Sequence, residues 1–224
     1  MKNLAFILII ISVALTGCGV PSVHPLYENN DLTLHEELAG AWSSNNGDTY
    51  YVFSAHDALN NPSRIPRQIY TFGNDSTEEA ASLEDIRKDA RDLRDKDQEN
   101  LYYIAKAGEE DFKELYYGGL VKLNSEYYLD LYKIRIFEED AFRFPTHVFV
   151  KIEIKEEQII LYEFKTSFIK NLIKEQQIRI KHEYSGENLL LTASSKELQK
   201  FILKYGKEDA AYGDTHTYYK QPLE

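Results

Sequence analysis

The chain holds a single cysteine, Cys18, among its 224 residues. No disulfide can form within it, so its stability has to come from packing, for which seventeen Tyr and eleven Phe supply the material. Its one extended apolar run, Leu4 to Leu15, falls short of the roughly 20 residues that a membrane-spanning helix needs, and Gly17, Gly19 and Pro21 follow directly. Basic residues are few beside acidic ones. With 26 Lys and Arg against 37 Asp and Glu, a formal charge of −11 repels phosphate backbones, and nucleic acid is not an expected partner. His24, His35, His56, His147, His182 and His216 show neither His-x-x-x-His nor His-Glu-x-x-His spacing, so no metal site is expected. Gly-x-Ser-x-Gly, a phosphate-binding glycine loop and a nucleophilic cysteine are missing too, and the expectation is a protein with no enzymatic activity and no cofactor.

What the sequence does contain begins with Lys2, the apolar run broken only by Ser12, and then Leu15-Thr16-Gly17-Cys18. A cationic start, an apolar stretch of about 7–15 residues and small residues after it make a secretory signal. The last four residues resemble the lipobox of bacterial lipoproteins. That resemblance implies removal of residues 1–17, attachment of a diacylglyceryl group and palmitate-type acyl chains to Cys18, and a covalent hold on a membrane, since two or more acyl chains anchor stably. In many Gram-negative sorting systems an Asp after the cysteine retains a lipoprotein at the inner membrane. Gly19 stands there, which implies the periplasmic face of the outer membrane.

From 18 to 37 the chain carries Pro21, Pro25, Asn29 and Asn30 without a sustained period and reads as a lipidated tether, although Val23-His24-Pro25-Leu26-Tyr27 is apolar enough to dock. Residues 38–224 read as one β-rich domain. Alternation dominates: in Val148 to Ile154 the side chains of Val148, Val150, Ile152 and Ile154 share one face, with Phe149, Lys151 and Glu153 opposite. Comparable strands are expected at Thr49–Phe53, Ile69–Phe72, Leu101–Ala105, Tyr116–Leu123, Tyr127–Tyr132, Ile159–Phe164, Ile178–Tyr184, Leu189–Thr192 and Thr215–Tyr219. Tight links at Asn124–Glu126, Lys155–Glu157 and Ser185–Asn188 make the arrangement an antiparallel meander. Two or three helices accompany it. Ser194-Ser195-Lys196-Glu197 is a capping box opening a helix with Leu198, Phe201, Ile202 and Tyr205 on one face and Gly206 at its end. Ser167–Glu175, capped by Thr166, is a second. The third lies in a charged insertion at 76–98, whose thin stripe of Leu83, Ile86, Ala90 and Leu93 is expected to dock weakly.

Gly40-Ala41-Trp42 at the head of this meander is similar to the Gly-x-Trp start of lipocalin and calycin barrels. In those folds the tryptophan plugs the closed end of the barrel under a basic residue from the last strand, a part that Lys220 would take here. More broadly, Val23–Tyr27, "LAGAW" at 38–42, "YYLDLY" at 127–132, "PTHVFVKIE" at 145–153 and "LTASSKELQKFILKYG" at 191–206 look like a family of uncharacterised bacterial lipoproteins. No activity or catalytic residue comes with that resemblance. The fold expectation is therefore a mainly β, lipocalin-like antiparallel barrel with accessory helices.

Carboxylates fall mostly in charge-mixed runs, and Asp130 departs from that pattern. On its strand Leu129 and Leu131 face one way while Tyr128, Asp130 and Tyr132 face the other, an acid between two phenols suited to orienting a polar ligand group if that face lines the barrel interior. His147 and His182 read as satisfied core or rim histidines. The functional expectation is a membrane-anchored binding module for a small amphipathic molecule. The alternative is an envelope scaffold in which an outer sheet face or the 76–98 helix docks a protein partner.

Overall fold

The structure is a computed structural model that describes residues 19–61, 63, 65, 83–107, 112–134 and 146–222. Cys18 and residues 1–17, the expected strand Ile69–Phe72 and the first part of the 76–98 insertion lie outside the described residues.

Alternation in the sequence becomes a closed antiparallel barrel of eight strands. These are β2 (Gly40–Ser44), β3 (Thr49–Ser54), β4 (Tyr102–Ala107), β5 (Phe112–Leu123), β6 (Glu126–Ile134), β7 (His147–Lys155), β8 (Gln158–Phe164) and β11 (Tyr212–Gln221). Neighbours in that order pair antiparallel, and β11 returns to pair with β2, so the ring leaves no open edge. A short hairpin, β9 (His182–Ser185) and β10 (Asn188–Leu191), stands outside the ring. It is joined to β7 through β1 (Pro21–Ser22), which is parallel to β10 and antiparallel to β7. Strand β9 is shorter than the expected 178–184, because four-residue β10 can pair only four partners. Ile180 is instead buried among the outer core residues.

Except for β11, which has no fully buried residue, the barrel strands bury both faces, which is why large apolar or aromatic residues occur at odd and even positions alike. One core lies in the lumen, formed by Trp42, Val52, Tyr102, Ile104, Leu120, Leu129, Val150, Ile152 and Ile159 together with Leu38. The alternate residues, Phe53, Tyr103, Val121, Tyr128, Phe149 and Phe164 among them, form a second core on the outside under the helices and the N-terminal segment. A 3-10 turn at Glu36–Leu38 closes one end of the lumen. There Trp42 Nε1 donates to Leu38 O at 2.9 Å, and Lys220, directly opposite Trp42 in the β2–β11 register, holds its Nζ 5.3 Å from the indole ring.

Among the described residues four α-helices pack outside the barrel: α1 (Ala55–Asn60), α2 (Leu83–Asp95), α3 (Thr166–Lys174) and α4 (Ser195–Tyr205). Helix α4 starts at the Ser194/Glu197 capping box, buries Leu198, Phe201, Ile202 and Tyr205, and ends at Gly206. Helix α3 buries Ile169 and Leu172; Thr166 is its first residue, and Lys165 holds the cap position. Helix α1 is an addition to the expected set, nucleated at the end of β3 where the Ser54 side chain accepts from the Asp57 amide.

Two expectations about exposure change. The stripe of α2 docks closely, with Ile86, Ala90 and Leu93 all buried. Asp89 on the same helix explains the stronger hold, since its Oδ2 accepts from the hydroxyls of Tyr103 (2.5 Å) and Tyr117 (2.7 Å) on the barrel wall. Residues 19–37, expected to be a tether, run along the barrel as a strap. Val20, Leu26, Tyr27 and Leu32 are buried, β1 is hydrogen-bonded on both sides, and Thr33 N donates to Leu120 O at 2.9 Å. Isolated apolar residues secure this segment one at a time, which leaves no period to read in the sequence.

Candidate functional site

The face carrying Tyr128, Asp130 and Tyr132 is the outer face of β6, covered by the strap and the helices, and not the lumen. The structure sends the three residues to different tasks. Tyr128 is 2% exposed and donates weakly to Gly206 O at the end of α4, 3.4 Å away, where the Tyr212 hydroxyl also donates at 2.7 Å. It joins the barrel to α4. Asp130 is 1% exposed and accepts from the Leu26 amide through Oδ2 at 2.8 Å, while Oδ1 lies 2.6 Å from His147 Nδ1. Tyr132 lies over the His147 ring, with centroids 4.8 Å apart, and reaches a surface cleft.

That cleft has a volume of about 480 Å³ and opens between the strap, α2 and the barrel wall. Val23, Pro25 and Tyr27 come from the strap, Asp89, Asp92 and Leu93 from α2, Lys96 and Gln98 from the turn after it, Leu101 from the start of β4, and Tyr117, Tyr132 and His147 from the wall. Each wall residue is placed by strand pairing. Tyr117 faces Tyr132 across β5–β6, and Tyr132 faces His147 across β6–β7. Asp130 stands opposite Phe149 and so reaches His147 as a diagonal neighbour on the same face.

Because Asp130 accepts through both oxygens, Nδ1 is the ring nitrogen of His147 that carries the shared proton. In the neutral imidazole Nε2 is then an acceptor, and it has no partner among the described residues. The His147 side chain is 13% exposed, flanked edge-on by Tyr27 and overlain by the tilted ring of Tyr132, so its orientation is fixed. Burial, and secondarily the charge of Asp130, pushes the Tyr27 phenol well above its ordinary value. Burial and the Asp89 hydrogen bonds do the same for Tyr103 and Tyr117, which therefore stay neutral donors to that carboxylate.

Of these residues the sequence singled out Asp130 and Tyr132. It missed Asp89, His147 and the strap residues as members of one site. The alternation that puts Phe149 and Lys151 opposite Val148 and Val150 also puts His147 on the Asp130 side, and that was the available signal. His182, by contrast, sits away from the cleft with Nδ1 at 2.8 Å from Ile180 O. No protein-family model, curated protein or solved structure matches the chain significantly.

Proposed function

We propose that this protein is an envelope lipoprotein, held to a membrane through lipid on Cys18, that binds a small amphipathic molecule in the cleft between its strap, α2 and the outer barrel wall. The observation that carries the reading is the cleft itself. Its volume of about 480 Å³ falls in the roughly 300–1,000 Å³ range of small-molecule sites, and its lining combines apolar and aromatic surface with a few fixed polar groups. The buried Asp130 behind it supports a binding role, because it orients one polar side chain, His147, toward the opening. The lumen of the barrel holds a packed apolar and aromatic core, so the reading rests on the outer cleft.

A docking role for the charged helix finds no support in α2, whose apolar stripe is already used against the fold. The binding reading is tested by native mass spectrometry of full-length protein released from nanodiscs, alongside a Gln98→Trp variant that adds bulk at a lining position. A bound small mass in the parent that is lost in the variant is the expected result, and a parent protein with no bound mass would sink the reading. The anchor is tested on the N-terminal peptide, which should begin at Cys18 and carry the diacylglyceryl mass.

A further inference from the structure

We infer that the cleft selects an organic cation, an amine or alkylammonium whose charged head lies among Asp89, Asp92, Tyr117 and Tyr132 and whose apolar part runs toward Pro25 and Leu101. This rests on the cleft being a ligand site, and it names the chemistry of the occupant.

The charge balance gives the sign. Asp89 and Asp92 line the opening, Asp130 lies behind it, and Lys96 is the only lysine or arginine among the described lining residues. No Lys, Arg or His among the described residues pairs with Asp89 or Asp92, so neither charge is compensated by a described basic residue. The phenols that bind Asp89 Oδ2 are neutral donors, and Oδ1 has no described donor of its own. An anion would have to enter against these carboxylates, whereas a cation is attracted by them.

The remaining lining suits the same class. Three tyrosines surround the opening, and aromatic faces attract ammonium groups most strongly where water is partly excluded. The hydrogen bond to Asp130 leaves His147 with an acceptor nitrogen, which an amine N–H can use and an anion cannot.

The test uses full-length protein in phosphatidylcholine nanodiscs and three probes of matched shape, benzyltrimethylammonium, phenylmethanesulfonate and benzyl alcohol, titrated calorimetrically against empty nanodiscs as the blank. The expected result is a Kd for the ammonium at least tenfold lower than for either other probe. Asp92 is exposed, so Asp92→Lys should keep the far-UV spectrum and melting temperature while weakening the ammonium at least tenfold. Equal affinities, or a preference for the sulfonate, would overturn the cation assignment and leave the binding reading standing. Ammonium binding that Asp92→Lys leaves unchanged would overturn the assignment to this cleft. If none of the three binds and native mass spectrometry finds no bound mass, both readings fall together.

Discussion

Asp130→Asn and Asp130→Ala separate two things this carboxylate does. It satisfies the Leu26 amide, and with it the strap, and it fixes the proton of His147 on Nδ1. Alanine leaves a buried amide and a ring nitrogen without partners. Each orphan costs about 1–3 kcal/mol, so the two together cost about 2–6 kcal/mol. Asparagine keeps an acceptor for Leu26 and offers its amide N–H to His147 Nδ1, so it loses only the charge assistance, about 1–2 kcal/mol. Urea unfolding followed by far-UV circular dichroism should therefore place Asn about 2 kcal/mol above Ala. The ring proton gives a second readout: in the Asn variant it must move to Nε2, which nitrogen-detected NMR of the histidines resolves. The cleft then presents a donor in place of an acceptor. Equal destabilisation by the two substitutions, or an unchanged tautomer in the Asn variant, would refute the assignment of both roles to Asp130.

Two further outcomes follow from the packing. Burial raises Tyr50 and Tyr102 to about 12 and pushes Tyr27, Tyr103, Tyr116, Tyr117, Tyr212 and Tyr218 up as well. Folded values above the unfolded value of about 10 mean that this stability is whole below pH 10 and drains away as pH climbs past it, about 2–3 kcal/mol from Tyr102 alone once pH has passed 12. Tyrosinate absorbance should rise cooperatively with loss of circular dichroism above pH 10, and reversible titration of all seventeen tyrosines with the fold intact would contradict it. A Cβ on Gly119 would overlap the Tyr27 ring and touch Leu32 Cδ2 at 3.2 Å, whereas one on Gly118 would meet Ile104 Cδ1 at 2.7 Å in the lumen. Both Ala variants should cost about 1–3 kcal/mol in urea unfolding, but only Gly119→Ala should weaken binding in the cleft; equal binding by the two would detach Tyr27 from the site.

Much of the barrel was legible because antiparallel strands announce themselves by alternation and tight links, as Val148–Ile154 and the turn at Asn124–Ser125 do. Helix α4 was legible because its capping box, apolar face and terminal glycine agree. Which face of each strand looks into the lumen was not legible, since helices and strap bury the outside as thoroughly as the ring buries the inside. Tyr128 and Leu129 both end up buried, in different cores. The Asp130–His147 contact was hidden for a different reason. Strands β6 and β7 are joined by a connection too long to act as a register-setting turn, so alternation gives the faces and leaves the sliding of one strand along the other open. Helix α1 is one and a half turns long, below the length at which an apolar period can be seen.

The strap alters what a lipobox at Leu15–Cys18 would imply. A free tether would separate the anchor from the domain, yet Gly19, the residue after Cys18, is already buried, and a Cβ there would overlap Val148. Beyond it Pro21 and Ser22 are held between β7 and β10, and Leu26 is held by Asp130. Val23 lines the cleft five residues past Cys18, and at about 3.4 Å per extended residue it lies within roughly 17 Å of it. Lipid on Cys18 would therefore set the cleft close to the bilayer surface, where an amphipathic cation partitions, and would transmit the position of the anchor into the segment that forms one wall of the site. The glycine at 19 also acquires a reason apart from sorting. An acidic residue there would have to bury a carboxylate where a single methyl group already finds no room.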